Sequence, residues 1–128
     1  MPAWIPADVD RLFAEAVSAH DLHGALAIYE EDACFEEGEG VIARGHEEIS
    51  LALERLIARS PTLDCHEIDV IENGNLAVLR ARWTFTAVGA NGESHVTHGR
   101  SIEVVRRQPD GSWKFAIDLP SGASADAE

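Results

Sequence analysis

Hydrophobic positions in the first third of the chain recur every three or four residues. Val9, Leu12, Phe13, Ala16 and Val17 fall on one stripe, which predicts an amphipathic helix over 8–20 with Pro6 suited to its first turn. Asp21 is a good N-cap for a second, shorter helix, LHGALAIYE, in which Leu22, Ala25, Leu26 and Tyr29 share a face. The acid-rich stretch that follows is interrupted by Ala33-Cys34-Phe35, too poorly periodic for a helix. It predicts a short strand over 33–37, with Gly38 and Gly40 marking a turn. Ile49, Leu53, Leu56 and Ile57 restore the helical period in HEEISLALERLIARS, which ends before Pro61.

Beyond Pro61 the period changes to two. Strands are expected at 63–71, 76–88, 93–107 and 112–119, joined by the turns NGN, GANGE and QPDGS. From Ala77 to Ala87 apolar residues alternate with Arg80, Arg82, Thr84 and Thr86, so the sheet should have one strongly apolar face. Val78, Val88 and Val105 are read as lying on the opposite face. Three helices followed by a curved, mainly antiparallel sheet is an α+β arrangement in which the helices close one face of the sheet into a cone. The 128 residues suffice for one domain, ordered over about 8–121, with 122–128 expected to be a flexible tail.

Composition narrows the function classes. A formal charge of −13 argues against binding a nucleic-acid backbone, which needs concentrated Lys and Arg. No apolar run is long enough for a signal peptide or membrane span, so a cytoplasmic location without membrane association is expected. Cys34 and Cys65 belong to no CxxC pair and are read as thiols. The six histidines lack any metal-ligand spacing; His95 and His98, three apart on a strand, point to opposite faces. There is no G-x-S-x-G and no phosphate-binding glycine loop, so neither a metal nor a cofactor is expected.

The segments HDLHGALAIYEEDACFEE, ARGHEEI and GRSIEVVRRQPDGSWKFAID, in this order and spacing, carry a resemblance to a known superfamily. Over about 8–121 the chain resembles the nuclear transport factor 2-like superfamily, with its cystatin-like fold, and in particular its SnoaL-like and ketosteroid-isomerase-like members. The resemblance implies a conical pocket for a small apolar or amphipathic molecule, and a homodimer formed through the outer sheet face. It also implies a proton-moving carboxylate on the short strand, at Glu37. Strand alternation puts Glu37 on the face of Phe35, where burial would raise its pKa. Asp118 occupies a position where many relatives carry an aspartate, although alternation leaves its facing open.

His98 and Arg100 share a face with Val96, Ile102 and Val104 and are candidates for holding or protonating a polar group. The alternative for this pair is a solvent- or dimer-facing stripe. Phe13, Tyr29, Phe35 and Trp83 are the expected apolar lining. Phe13 stands where the resemblance places a hydrogen-bonding tyrosine, and HGRSIE offers no acid before Glu103, so steroid isomerisation itself is not expected. The expected activity is an isomerase, cyclase or related lyase step on a small organic ligand; the alternative is a non-catalytic ligand-binding or dimeric association module.

Overall fold

The computed structural model describes residues 2–123. Three helices, α1 (Ala7–Ser18), α2 (Leu22–Leu26) and α3 (Gly45–Ile57), pack on a curved, unclosed sheet of six strands. The strands are β1 (Tyr29–Gly38), β2 (Val41–Arg44), β3 (Thr62–Asn73), β4 (Leu76–Val88), β5 (Ser94–Arg107) and β6 (Trp113–Leu119), in the order β2-β1-β6-β5-β4-β3. All neighbours are antiparallel except β1 and β6. The fold is α+β, as expected. Among the described residues no helix is long and apolar enough to cross a membrane.

The stripe of α1 buries Val9, Phe13 and Val17, and the helix is tied to β3 through Ser18, whose Oγ donates to the Leu63 carbonyl and accepts from its N–H at 2.8 Å. Asp21 caps α2 by accepting from the Gly24 N–H at 2.9 Å. In α3, Ile49, Ala52 and Leu53 face the core, and the Glu48 carboxylate accepts from the Arg44 N–H ahead of the helix. Register shifts in β1, β3 and between β5 and β6 bend the sheet around this layer.

Three expectations change. Helix α2 stops at Leu26, and Tyr29 opens β1, because the backbone of 29–38 pairs with β2 and β6 in place of extending the helix. The four-residue β2 lies where a loop into α3 was expected. Val105 is fully buried, against its expected outward position, because it continues the inward alternation of Ser101 and Glu103 along β5, while Ile102 and Val104 take the outer face. Part of the expected tail is placed: the Ala123 N–H donates to the Arg100 carbonyl at 3.2 Å. The remainder of that expectation, 124–128, lies outside the described residues.

Candidate functional site

The inward face of the sheet and the underside of α1 enclose a cavity of about 200 Å³. Its walls are aromatic: Phe13 from α1, Phe35 from β1, Trp83 and Phe85 from β4, Phe115 from β6. Trp83 can lie flat across β5 because its cross-strand partner is Gly99; a Cβ there would collide with the indole ring. Its Nε1–H donates to the Pro120 carbonyl at 2.7 Å, which draws the segment after β6 against the cavity.

Three carboxyl groups meet in this apolar space. Asp10 comes from α1, Glu103 from β5 and Asp118 from β6, and they are only 2%, 4% and 3% exposed. Glu103 and Asp118 are directly opposed across the β5–β6 ladder, a position where two like charges repel strongly. Burial pushes Asp118 up to about 7, partly offset by a hydrogen bond from the Tyr29 hydroxyl at 2.5 Å and reinforced by the charge of Asp10. Burial likewise raises Asp10 to about 6, with Glu103 and Arg11 acting in the opposite direction. Glu103 is raised well above the ordinary glutamate value by burial and by the neighbouring Asp10 and Asp118. Asp10 and Glu103 influence each other's ionisation, Glu103 lowering the pKa of Asp10 and Asp10 raising that of Glu103.

The opposing burial and hydrogen-bond effects leave Asp118 ionising near neutral pH, where a carboxyl group can both take and return a proton. Tyr29 is fully buried behind Asp118, edge-on to Phe13 and Phe35, so its hydroxyl is held in place by ring packing. Cys65 also borders the cavity; burial and the surrounding acids raise its thiol pKa, which suppresses the thiolate.

The candidates expected from sequence are distributed unevenly. Phe13, Phe35, Trp83 and Asp118 line the cavity, while Tyr29 stands behind it as the partner of Asp118. Glu37 shares the Phe35 face but sits at the rim, its side chain 29% exposed and accepting from Arg55 Nε and Nη2 at 2.6 and 2.7 Å. Those hydrogen bonds lower its pKa, reversing the expected rise. His98 and Arg100 are on the outer face. Their cross-strand partners are Thr84 and Arg82; His98 Nδ1 lies 3.3 Å from the Thr84 hydroxyl, and Arg100 borders an outer groove with Glu67 and Arg80. The inward positions of β5 are instead Thr97, Gly99, Ser101 and Glu103, because Val96, Ile102 and Val104 are the outer apolar residues of that strand.

Sequence reasoning missed Asp10 and passed over Glu103 as a catalytic group. Asp10 carried a usable signal: it stands three residues before Phe13 and seven before Val17, on the apolar stripe itself.

The profile of the SnoaL-like domain family matches residues 9–115. The chain belongs to the SnoaL-like family. No curated protein matches the sequence. Among solved structures the SnoaL-like chain is similar to a Xanthomonas campestris protein provisionally named a calcium/calmodulin dependent protein kinase II association domain, at 18% identity over 95% of this chain and 86% of that one, with a TM-score of 0.82. A Novosphingobium aromaticivorans protein provisionally named an aromatic ring hydroxylase is 26% identical over 88% of this chain and 82% of that one, with a TM-score of 0.78. A ketosteroid isomerase-like protein of Erwinia carotovora atroseptica is 17% identical over 88% of each chain, with a TM-score of 0.74. Others carry provisional dehydratase names. So varied a set of names on one SnoaL-like and cystatin-like architecture leaves function to be argued from the site.

Proposed function

We propose that the cavity binds a small amphipathic organic molecule and moves a proton on it, in an isomerase, cyclase or lyase step. The observation that carries this reading is the convergence of Asp10, Glu103 and Asp118, from three separate elements, in one aromatic cavity. Asp118 is the proton-transfer group, with Tyr29 positioning it. Asp10, Glu103 and Ser101 hold the polar end of the substrate. As a carboxylate, Asp118 takes the proton from a carbon next to a carbonyl, and the electron pair of the broken C–H bond passes to the carbonyl oxygen. In isomerisation the proton returns at a second carbon; in elimination it leaves with a hydroxyl group as water. The dehydratase and isomerase-like names among the structural neighbours are consistent with such chemistry. Phe13 offers no hydrogen bond, so steroid enones should react near background.

The test is proton NMR in D2O with a panel of one- and two-ring enones and β-hydroxy ketones. Deuterium uptake or dehydration is expected, slowed about 10²-fold or more by Asp118→Asn with the near-UV dichroism unchanged. Exchange that survives Asp118→Asn at the wild-type rate would remove Asp118 from the role, and no turnover of any compound would remove the enzymatic reading.

The association reading has its own observation. Ile71, Val78, Val104 and Ile117 are successive cross-strand partners in one row on the outer sheet face, and Ile71 and Ile117 are exposed. We propose that a second copy covers this row, which is compatible with catalysis inside. Sedimentation velocity at micromolar concentration should show a dimer, dissociated by Ile117→Lys; a monomeric wild type would refute it.

A further inference from the structure

The acid-lined end of the cavity has unmet hydrogen-bonding capacity. Asp10 Oδ2, Ser101 Oγ and Glu103 Oε1 each lack a hydrogen-bond partner, although all three residues are more than nine-tenths buried. Leaving such groups dry and unpaired is costly, which favours a molecule that supplies donors to them. The cations nearest the cavity are engaged elsewhere: Arg59 lies over the Phe85 ring, 5.0 Å from its centroid, Arg55 is taken up by Glu37, and Arg11, beside Asp10 in sequence, is exposed and paired with Asp8 at 2.7 Å. The remaining titratable neighbours, Asp118 and the Cys65 thiol, add no positive charge. The walls, moreover, present aromatic faces, which attract cations and disfavour anions.

We infer that the occupant of this site is an organic ammonium compound, whose protonated amine is held by Asp10, Glu103 and Ser101 while its apolar body lies along Trp83 and Phe85. The inference rests on the small-molecule reading of the cavity and names the class of molecule. A primary ammonium has three donors, matching the three unmet oxygens. Burial and the neighbouring acids favour the protonated form of Glu103; an ammonium beside it favours the ionised form, so a proton passes to the buffer as the cation enters. A neutral alcohol of the same shape requires no such release, and a carboxylate is repelled.

Isothermal titration calorimetry of the whole protein at pH 7 tests this with phenethylamine and tryptamine, each beside its alcohol and carboxylate counterpart, in phosphate and in Tris. The amines should bind roughly tenfold or more tighter than either counterpart, the scale of one charge-assisted hydrogen bond. Their heats should differ between the buffers by the signature of proton release. Glu103→Gln should weaken amine binding by a similar factor and abolish the buffer difference. Asp10→Asn serves as the second variant should Glu103→Gln fail to fold.

Equal or better binding of the alcohols or carboxylates, no binding of either amine at millimolar concentration, or amine binding unchanged in both folded variants would overturn the inference. Deuterium exchange into neutral ketones without amine selectivity would sink it while sparing the proton-transfer reading. Amine binding with proton release but no exchange in any ligand would do the reverse.

Discussion

Asp118→Asn should make the protein more stable at alkaline pH, although it removes a hydrogen-bonded, fully enclosed side chain. Burial raises this carboxyl from 3.8 to about 7, so the folded chain holds a proton that the unfolded chain has released. Wild-type stability from this group is therefore complete below 3.8 and declines as pH rises to 7. By pH 8 the ionised form costs the folded state about 4 kcal/mol. Asparagine has no proton to lose and keeps a carbonyl oxygen for the Tyr29 hydroxyl, so it stands in for the protonated acid at every pH; the Tyr29 bond to the ionised form is already contained in the raised value. The expected gain is about 4 kcal/mol at pH 8, shrinking toward zero near pH 4. Urea unfolding followed by tryptophan fluorescence at pH 4, 6 and 8 reads this as a midpoint increase of about 2 M at the highest pH, for an m-value of about 2 kcal/mol/M. A variant that is less stable than wild type at pH 8, or offset equally at pH 4 and pH 8, would show that Asp118 is not held protonated by its surroundings.

Tyr29→Phe removes the donor that favours ionised Asp118, so the Asp118 titration followed by carboxyl-carbon NMR should move to higher pH; a shift to lower pH would contradict the hydrogen bond's assigned effect. Gly99→Ala puts a methyl into the Trp83 ring and should displace the indole, lowering stability by about 1 to 3 kcal/mol and shifting Trp83 emission. An unchanged spectrum and unfolding midpoint would show that the floor of the cavity yields freely. Glu37→Gln breaks a pairing at the rim: its depressed pKa contributes stability above the ordinary value that is lost as pH falls through the folded value. The variant should differ from wild type only slightly at pH 7 and converge with it in acid; a large loss of turnover at pH 7 with the fold intact would return Glu37 to the chemistry.

The regular parts of the fold were legible because their periods are strong. The stripes of α1 and α3 and the alternation of β4 directly encode which side meets the core. Where pairing partners outweigh local pattern, the sequence misled. Tyr29 fits a helical face with Leu22, Ala25 and Leu26, but its backbone is claimed by β6, a contact over eighty residues away in sequence. The adjacent valines 104 and 105 made either face of β5 plausible, and the outward Val96 and Ile102 tipped the choice, carrying His98 and Arg100 into the site and Glu103 out of it. Asp10 was hidden for a different reason. A charged residue on a helix is normally solvated, so the charge of Asp10 outweighed its place on the apolar stripe of α1, where the helix packing in fact encloses it.

The position of β6 in the sheet also dictates an order of events in folding. It is the last strand in sequence yet lies between β1 and β5, so until it inserts, the β1–β2 pair and the β3–β4–β5 meander share no ladder. The early helices and the meander can form from contacts near in sequence, whereas the strand that unites them must wait for distant loop closure. A nascent or partly unfolded chain therefore exposes two long strand edges, one on each side of the gap, until Asp118 and Phe115 arrive. The carboxyl group placed at the centre of the proposed chemistry is thus delivered by the same step that covers these two inner edges and leaves only β2 and β3 at the margins of the sheet.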